Sequence, residues 1–139
     1  MLDRCPGPVV SEVPLAEARG LVTAAPVVAT EAVPPFANTA MDGFAVRAAD
    51  TAVPPVDLGI VGTLPAGVAP DVEVGVGEAI RIMTGAPMPP GADAVVEVER
   101  TSVSGDGSVV TVAVEVPVGK HVRSAGDDLR LGDEVVGAG

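Results

Sequence analysis

The sequence has one cysteine, two phenylalanines and neither tryptophan nor tyrosine among its 139 residues. With Cys5 alone, an internal disulfide and a multi-thiolate metal site are excluded, which is typical of a reducing compartment and makes the cytoplasm the expected location. With Phe36 and Phe44 as the only aromatic residues, the interior has to be built from Val, Ala, Leu and Ile. This composition favours β-strands and a thin core.

Basic residues are also scarce, since eight Lys and Arg stand against nineteen Asp and Glu and give a net charge of -11. An acidic surface repels polyanions, so neither nucleic acid nor an anionic membrane is an expected partner. The amino-terminal residues lack the continuous apolar run of a signal peptide, and no apolar run reaches the length that spans a bilayer. The one histidine, His121, is interpreted as an ordinary strand-edge residue.

The chain does contain a series of short apolar stretches separated by glycine and proline. Residues 15–22 follow Pro14 and repeat apolar side chains at helical spacing, which predicts one short helix. The other stretches predict strands at residues 44–46, 56–64, 79–83, 93–99, 108–116, 119–123 and 134–136. The clearest signal is an antiparallel hairpin over residues 93–116, because both arms alternate on either side of Ser104-Gly105-Asp106-Gly107.

Two irregular loops are candidates for chemistry, at residues 35–44 and 81–93. The first carries Asp42 on an Asp-Gly turn, where a carboxylate is a hard ligand for Mg²⁺ or a base; an ordinary turn is the alternative. The second places Thr84 beside free backbone N–H groups that can bind an oxyanion, and a proline-stiffened connector is the alternative. Arg123, with Asp127 and Asp128, forms a charged turn that either binds an ion or is simply solvated.

Four stretches, in the same order along the chain, resemble the motifs of molybdopterin molybdenumtransferases, the MoeA and gephyrin family. Residues 33–46, VPPFANTAMDGFAV, are similar to the family's PxFDNSAMDGYA, and residues 80–96, IRIMTGAPMPPGADAVV, to its IxTGAPxPxGADAVV. Residues 122–129, VRSAGDDL, resemble its VRxxGEDI, and residues 14–20, PLAEARG, its PLAEALGR. The resemblance covers nearly the whole chain.

The resemblance implies a mainly β fold with one short helix. In that fold a β-barrel-like lid domain, residues 35–116, is inserted into an elongated β-rich domain made of residues 1–34 and 117–139. The implied function is that of a molybdenum cofactor biosynthesis enzyme, which inserts molybdate into adenylylated molybdopterin and releases AMP. In the family the reaction depends on Mg²⁺, and the active site is shared across a homodimer.

By the same resemblance, Asp42 and Thr84 are the expected catalytic residues, and Asp42 is also the expected metal ligand. The expected substrate-binding residues are Asn38, Met41, Gly43, Gly85 and Arg123. Two positions depart from the family's motif, because Ala37 replaces an aspartate and Phe44 replaces the common tyrosine. The lid is therefore expected to lack one carboxylate and one hydroxyl.

The chain has no stretch that matches the family's large pterin-binding domain, nor the dimerisation helix expected before residue 10, so we expect this chain alone to be inactive. The main alternative is a truncated, non-catalytic paralogue that serves as a scaffold or interaction module. A second alternative is a generic β-barrel binding module with an accidental resemblance, and it requires the two loops to lie far apart.

Overall fold

The structure is a computed structural model that describes Gly7 and residues 9–139. Cys5 lies outside the described residues. The fold is mainly β, as predicted. The described strands are β1 Val27–Val28, β2 Asn38–Thr39, β3 Gly43–Val46, β4 Val56–Leu64, β5 Glu78–Ile82, β6 Ala94–Glu97, β7 Thr101–Val103, β8 Val109–Val112, β9 Val122–Arg123 and β10 Glu134–Val136. Three short 3-10 helices accompany them, at Leu15–Glu17, Ala48–Thr51 and Val98–Arg100.

Six of the strands form one sheet that curls into a half-barrel, in the order β6-β3-β5-β4-β8-β7. Strand β3 runs antiparallel to both of its neighbours, β5 and β6. Strand β4 runs parallel to β5 and antiparallel to β8. Because β3 lies between β5 and β6, the chain segments that follow those two strands meet at either side of the turn that leads into β3.

The segments before and after this sheet run antiparallel to each other. Strand β1 pairs with β10, Val33 forms a bridge with Leu129, and β2 pairs with β9. These contacts follow one another in order along both segments, so they form an interrupted antiparallel ladder. The ladder brings residues 38–39, which belong to the first loop, beside residues 122–123, which belong to the charged turn.

The core lies on both faces of the curled sheet. Alternate residues of a strand point to opposite faces, and in β3 the side chains of Phe44 and Val46 join one apolar cluster while Ala45 joins the other. Strands β3 and β6 are therefore buried on both faces, and all four residues of β3 are buried. Burying one Val, Leu, Ile or Phe side chain contributes about 1.5–3 kcal/mol, so these two neighbouring strands carry much of the stability.

The helix predicted over residues 15–22 is wrong in both type and length. Only the 3-10 turn Leu15–Glu17 forms, none of its residues is buried, and Gly20 leaves the helical region with a φ of +84°. A helix this short needs an apolar face packed against other structure, yet no residue from 9 to 33 is buried. No helix in the described part of the chain has the length and apolar character needed to span a bilayer.

The hairpin predicted over residues 93–116 is wrong in its pairing. The turn at residues 104–107 exists, but strand β8 pairs across it with β7, while β6 pairs with β3. The 3-10 turn Val98–Arg100 ends β6 and separates it from β7. Residues 94–96 are fully buried, so their apolar side chains are better accommodated beside β3, whose residues are all buried, than opposite the partly exposed β8.

The strand predicted over residues 119–123 is reduced to β9, which begins only at Val122. A turn occupies the preceding residues, in which Lys120 donates its N–H to the carbonyl of Pro117 at 3.1 Å and Gly119 has a φ of +80°. The strand predicted over residues 108–116 likewise ends at Val112. By contrast, β4 and β10 have the predicted bounds.

Gly43 tests the packing of β3 against β6. A Cβ at this position would lie 1.9 Å from the carbonyl oxygen of Val96, so Gly43→Ala should lower the free energy of unfolding by about 3 kcal/mol, measured by urea denaturation. Gly62→Ala, in β4, is the matched control because no atom lies within 4 Å of the added Cβ. Equal effects of the two substitutions would show that the close approach does not matter.

Candidate functional site

Three chain segments, residues 37–43, 83–88 and 121–123, meet at one end of the half-barrel, and we call them the loop site. Strand β2 lies between the other two segments, because it pairs with β9 and Asn38 also bridges to Pro87. Thr39 binds the second segment twice: its N–H donates to the carbonyl of Ala86 at 3.0 Å, and its carbonyl accepts from Gly85 at 2.9 Å. The two loops that the sequence singled out are therefore one structural unit.

The contact in the loop site that bears on chemistry is the one between Asp42 and Thr84. Both the backbone N–H and the hydroxyl of Thr84 donate to Oδ1 of Asp42, at 2.6 and 2.7 Å. These two bonds, assisted by the positive charge of Arg81, hold the pKa of the Asp42 carboxyl below its ordinary value of 3.8. Oδ2 of Asp42 accepts no hydrogen bond within the described residues. The result is an exposed, ionised carboxylate with one fixed and one available oxygen.

The turn that carries Asp42 is held by a different residue. Thr39 is buried, and its hydroxyl donates to the carbonyl of Met41 at 2.7 Å and accepts from the N–H of Met41 at 3.1 Å. The Asp42 side chain does not cap its own turn, since it reaches a residue 42 positions later. An ordinary Asp-Gly turn would not need this contact, so the Asp42 carboxylate is held by the second loop and not by its own turn.

The oxyanion-binding interpretation of Thr84 is wrong, because the N–H groups of residues 84–86 are all used within the chain. The Thr84 N–H donates to Asp42, the Gly85 N–H to Thr39 and the Ala86 N–H to the carbonyl of Met83 at 2.9 Å. An oxyanion site needs unengaged donors. The second loop therefore serves to hold the Asp42 carboxylate and not to bind an anion directly.

The remaining residues of the first motif differ in their surroundings. Asn38 is buried and its Oδ1 has no hydrogen-bond partner within the described residues, whereas Met41 is exposed. Gly43 is buried against the carbonyl of Val96, which gives it a structural role. Phe44 is also fully buried, with the guanidinium of Arg81 5.5 Å from its ring centroid. The replacement of tyrosine by Phe44 thus concerns the core.

Gly85 and Arg123 complete the expected substrate-binding set. Gly85 has a φ of +82°, which only glycine adopts freely. Arg123 lies opposite Asn38 in the β2–β9 pair, but Nη2 of its guanidinium contacts Oδ2 of Asp128 at 2.5 Å. This hydrogen bond raises the pKa of Arg123. Arg123 is therefore engaged in an internal ion pair and presents little free positive charge.

Glu97 and His121 form a pair beside the Asp42 turn that the sequence did not predict. Nε2 of His121 lies 2.7 Å from Oε2 of Glu97, and this hydrogen bond is the main cause that lowers the pKa of the Glu97 carboxyl. Both side chains are half-buried. The interpretation of His121 as an ordinary strand-edge residue is wrong, because it precedes β9 in a turn and has a φ of 56°.

Asp42 can supply one ligand to a metal ion but cannot form a metal site by itself. Among the residues that the structure describes, no three His, Cys, Asp or Glu side chains converge in a way that could hold an ion. Mg²⁺ commonly takes only one or two protein carboxylates and completes its shell with water and substrate phosphates. The chemistry of Asp42 therefore fits a single-carboxylate contribution to Mg²⁺.

Comparison with known proteins gives one consistent family. The family model described as the MoeA N-terminal region (domain I and II) matches residues 1–139. Molybdopterin molybdenumtransferase 2 of Mycobacterium tuberculosis (strain ATCC 25618 / H37Rv) is 47% identical over 130 residues, which are 89% of this chain and 31% of that protein. The molybdopterin molybdenumtransferase of Synechococcus elongatus is 36% identical over 135 residues, which are 94% of this chain and 33% of that protein.

A solved structure is similar in fold as well. The crystal structure of molybdopterin biosynthesis moeA protein from Pyrococcus horikoshii OT3 matches with a TM-score of 0.88 and 35% identity, over 93% of this chain and 35% of that one. The chain thus spans about a third of the length of the relatives it matches. An accidental resemblance between unrelated loops is excluded by these matches and by the contact between Asp42 and Thr84.

Thr84→Val tests the electrostatics of the site. The substitution removes the hydroxyl bond and keeps the backbone bond, so the pKa of Asp42 should rise towards 3.8 but stay below it, measured by NMR titration of the carboxyl. Because the pKa of Asp42 is lowered by folding, its stabilising contribution is complete above pH 3.8 and is lost as the pH falls through the lowered pKa. This acid-dependent part of the stability should be smaller in the variant.

The matched control for this titration is Thr111→Val, because the hydroxyl of Thr111 donates to Oδ1 of Asp57 at 2.6 Å in an exposed pair elsewhere on the sheet. It should leave the titration of Asp42 unchanged. An Asp42 pKa that is identical in the wild-type chain and in Thr84→Val would show that the hydroxyl bond does not form in solution.

Proposed function

This chain belongs to the molybdopterin molybdenumtransferase family of molybdenum cofactor biosynthesis and corresponds to its MoeA N-terminal region, and on that premise we propose that it contributes Asp42 to the insertion of molybdate into adenylylated molybdopterin with release of AMP. The observation that carries the proposal is the pair of hydrogen bonds from Thr84 to one oxygen of the Asp42 carboxylate. They keep the carboxylate ionised and fix its direction.

The role of Asp42 follows from this geometry. With Oδ1 fixed, the free Oδ2 can accept a proton or bind a cation without first losing side-chain entropy. Mg²⁺, where bound, would neutralise negative charge that develops on phosphate oxygens. Thr84 acts by orienting Asp42, because both of its donors are already used on that carboxylate.

Turnover also needs groups that the described residues do not offer. Asp42 is one carboxylate, Arg123 is paired with Asp128, and the N–H groups near Thr84 are engaged. Since catalysis depends on several groups positioned together, we expect this chain alone to be inactive. We also propose that residues 35–116 act as the lid on an elongated part formed by residues 1–34 and 117–139, within a cytoplasmic homodimer.

A non-catalytic interaction module is a second candidate, and one observation favours it. Residues 9–33 include no buried residue, and most of their apolar side chains are exposed, with 88% of Val9 and 91% of Leu15 accessible. Val9, Val10, Val13, Leu21 and Val22 line one cavity, and a contiguous exposed apolar surface is typical of one that another protein covers. The two candidates differ in whether the Asp42 carboxylate matters for a chemical step.

The experiment is a chimera in which this chain replaces the matching 31% of molybdopterin molybdenumtransferase 2 of M. tuberculosis. The assay follows molybdate-dependent consumption of adenylylated molybdopterin and release of AMP. Asp42→Asn should lower turnover by about two orders of magnitude, with little change in the unfolding temperature, because Asp42 is an exposed turn residue.

Asp57→Asn is the matched control, since Asp57 is also an exposed aspartate that accepts a threonine hydroxyl. It should leave turnover unchanged. Unchanged turnover in Asp42→Asn would return Asp42 to the role of an ordinary turn residue, and so would a loss of activity that unfolding fully explains. A folded chimera without any turnover would favour the interaction module.

A further inference from the structure

His121 has a backbone conformation that residues with a side chain rarely adopt. Its φ of 56° is the one positive value at a residue other than glycine within residues 9–139. Left-handed backbone is unfavourable for a residue that carries a Cβ, and it persists only where the surrounding contacts hold it. The contacts that hold His121 therefore show what this conformation achieves.

Two contacts of His121 lead to the Asp42 turn. The carbonyl of His121 accepts the N–H of Ala40 at 2.9 Å, and its Nε2 meets Oε2 of Glu97 at 2.7 Å. The residue after Glu97, Val98, donates its N–H to the backbone carbonyl of Asp42 at 3.2 Å. The side-chain pair thus joins the two chain segments that hold the backbone of residues 40–42.

This pair lies across β3 from Thr84. Gly43 is opposite Ile82 of β5 on one edge of β3 and opposite Glu97 of β6 on the other, and Thr84 follows β5. Asp42 is therefore held at its side chain from the β5 edge and at its backbone from the β6 edge. Neither set of contacts alone fixes both the carboxylate and the chain that carries it.

Two basic side chains, Arg100 and Lys120, also lie near Glu97, but they are less suited to this role. Nε of Arg100 is 3.7 Å from Oε1 of Glu97 on a side chain that is 60% exposed, whereas the His121 side chain is 22% exposed. Lys120 acts on Glu97 only through its charge. Exposed and distant charges are screened by salt, so the contact with His121 is the stronger one.

We propose that His121 and Glu97 form a positioning pair that fixes the backbone of residues 40–42, and with it the direction of the Asp42 carboxylate. The proposal rests on the proposed function for the importance of Asp42. The test of the pair measures how firmly Asp42 is held in position and does not measure turnover. Its result is therefore independent of whether the Asp42→Asn chimera is active or inactive.

The test measures amide hydrogen exchange and the amide proton shift of Thr84 by NMR. His121→Gly removes the imidazole and tolerates the left-handed backbone. It should speed exchange at Ala40 and Thr84 by about tenfold relative to the core amide of Val110 and move the Thr84 amide proton shift. His121→Gln should restore much of the protection, because the glutamine side chain is long enough to place an amide N–H near the position of Nε2, where it can bind Glu97. Glu97→Ala, which removes the hydrogen-bond partner of His121, should speed exchange at the same two amides.

Arg100→Gln is the control, since it removes a neighbouring cation and leaves His121 in place; exchange at Ala40 and Thr84 should change by less than about threefold. The proposal is overturned if both amides keep their protection in His121→Gly and Glu97→Ala. It is also overturned if Val110 loses protection to the same extent or if both variants fail to fold, because the pair then supports the whole fold and not Asp42 in particular.

Discussion

The structure depends on the position of strand β3, which is paired on both edges and covered on both faces. Gly43 makes this possible, because the absence of a Cβ lets the carbonyl of Val96 approach its backbone. A slip of one residue would exchange Phe44 with Ala45 between the two apolar clusters, so the register is strongly fixed. The turn before β3, which carries Asp42, is therefore fixed in position as well.

The sequence was sufficient to locate most strands but not to choose their partners. Short apolar stretches bounded by glycine and proline located β4 and β10 correctly. Residues 94–97 were also predicted as part of a strand, yet they pair with β3 and not with the strand across the next turn. The choice of partner strand depends on burial of β6 on both faces, and a local sequence pattern does not show which strand provides that burial. The missing helix has the same cause, because its apolar spacing is present but nothing packs against it.

The candidate site, too, could be predicted only in part from the local sequence. Asp42 and Thr84 were identified through their motifs, whereas the residues alone left an ordinary turn open. The decisive contact joins side chains 42 positions apart, and the Glu97–His121 pair joins positions 24 apart. The contact of Thr39 with the Asp42 turn could have been predicted from the local sequence, because a threonine two residues before a turn often binds that turn's backbone. The engagement of the N–H groups of residues 84–86 required the fold.

The antiparallel ladder formed by β1 with β10, Val33 with Leu129 and β2 with β9 also bears on how this protein can evolve. It closes the polypeptide between its two sides into one large loop. The entropy cost of closing a flexible loop grows slowly, by about 0.6 kcal/mol for each doubling of its length. We therefore expect insertions and deletions to be tolerated in the β3–β4, β4–β5 and β7–β8 connections, which lie outside the loop site, as long as the ladder keeps its register. The length of the chain enclosed by the ladder can therefore change during evolution while the geometry of the loop site is kept.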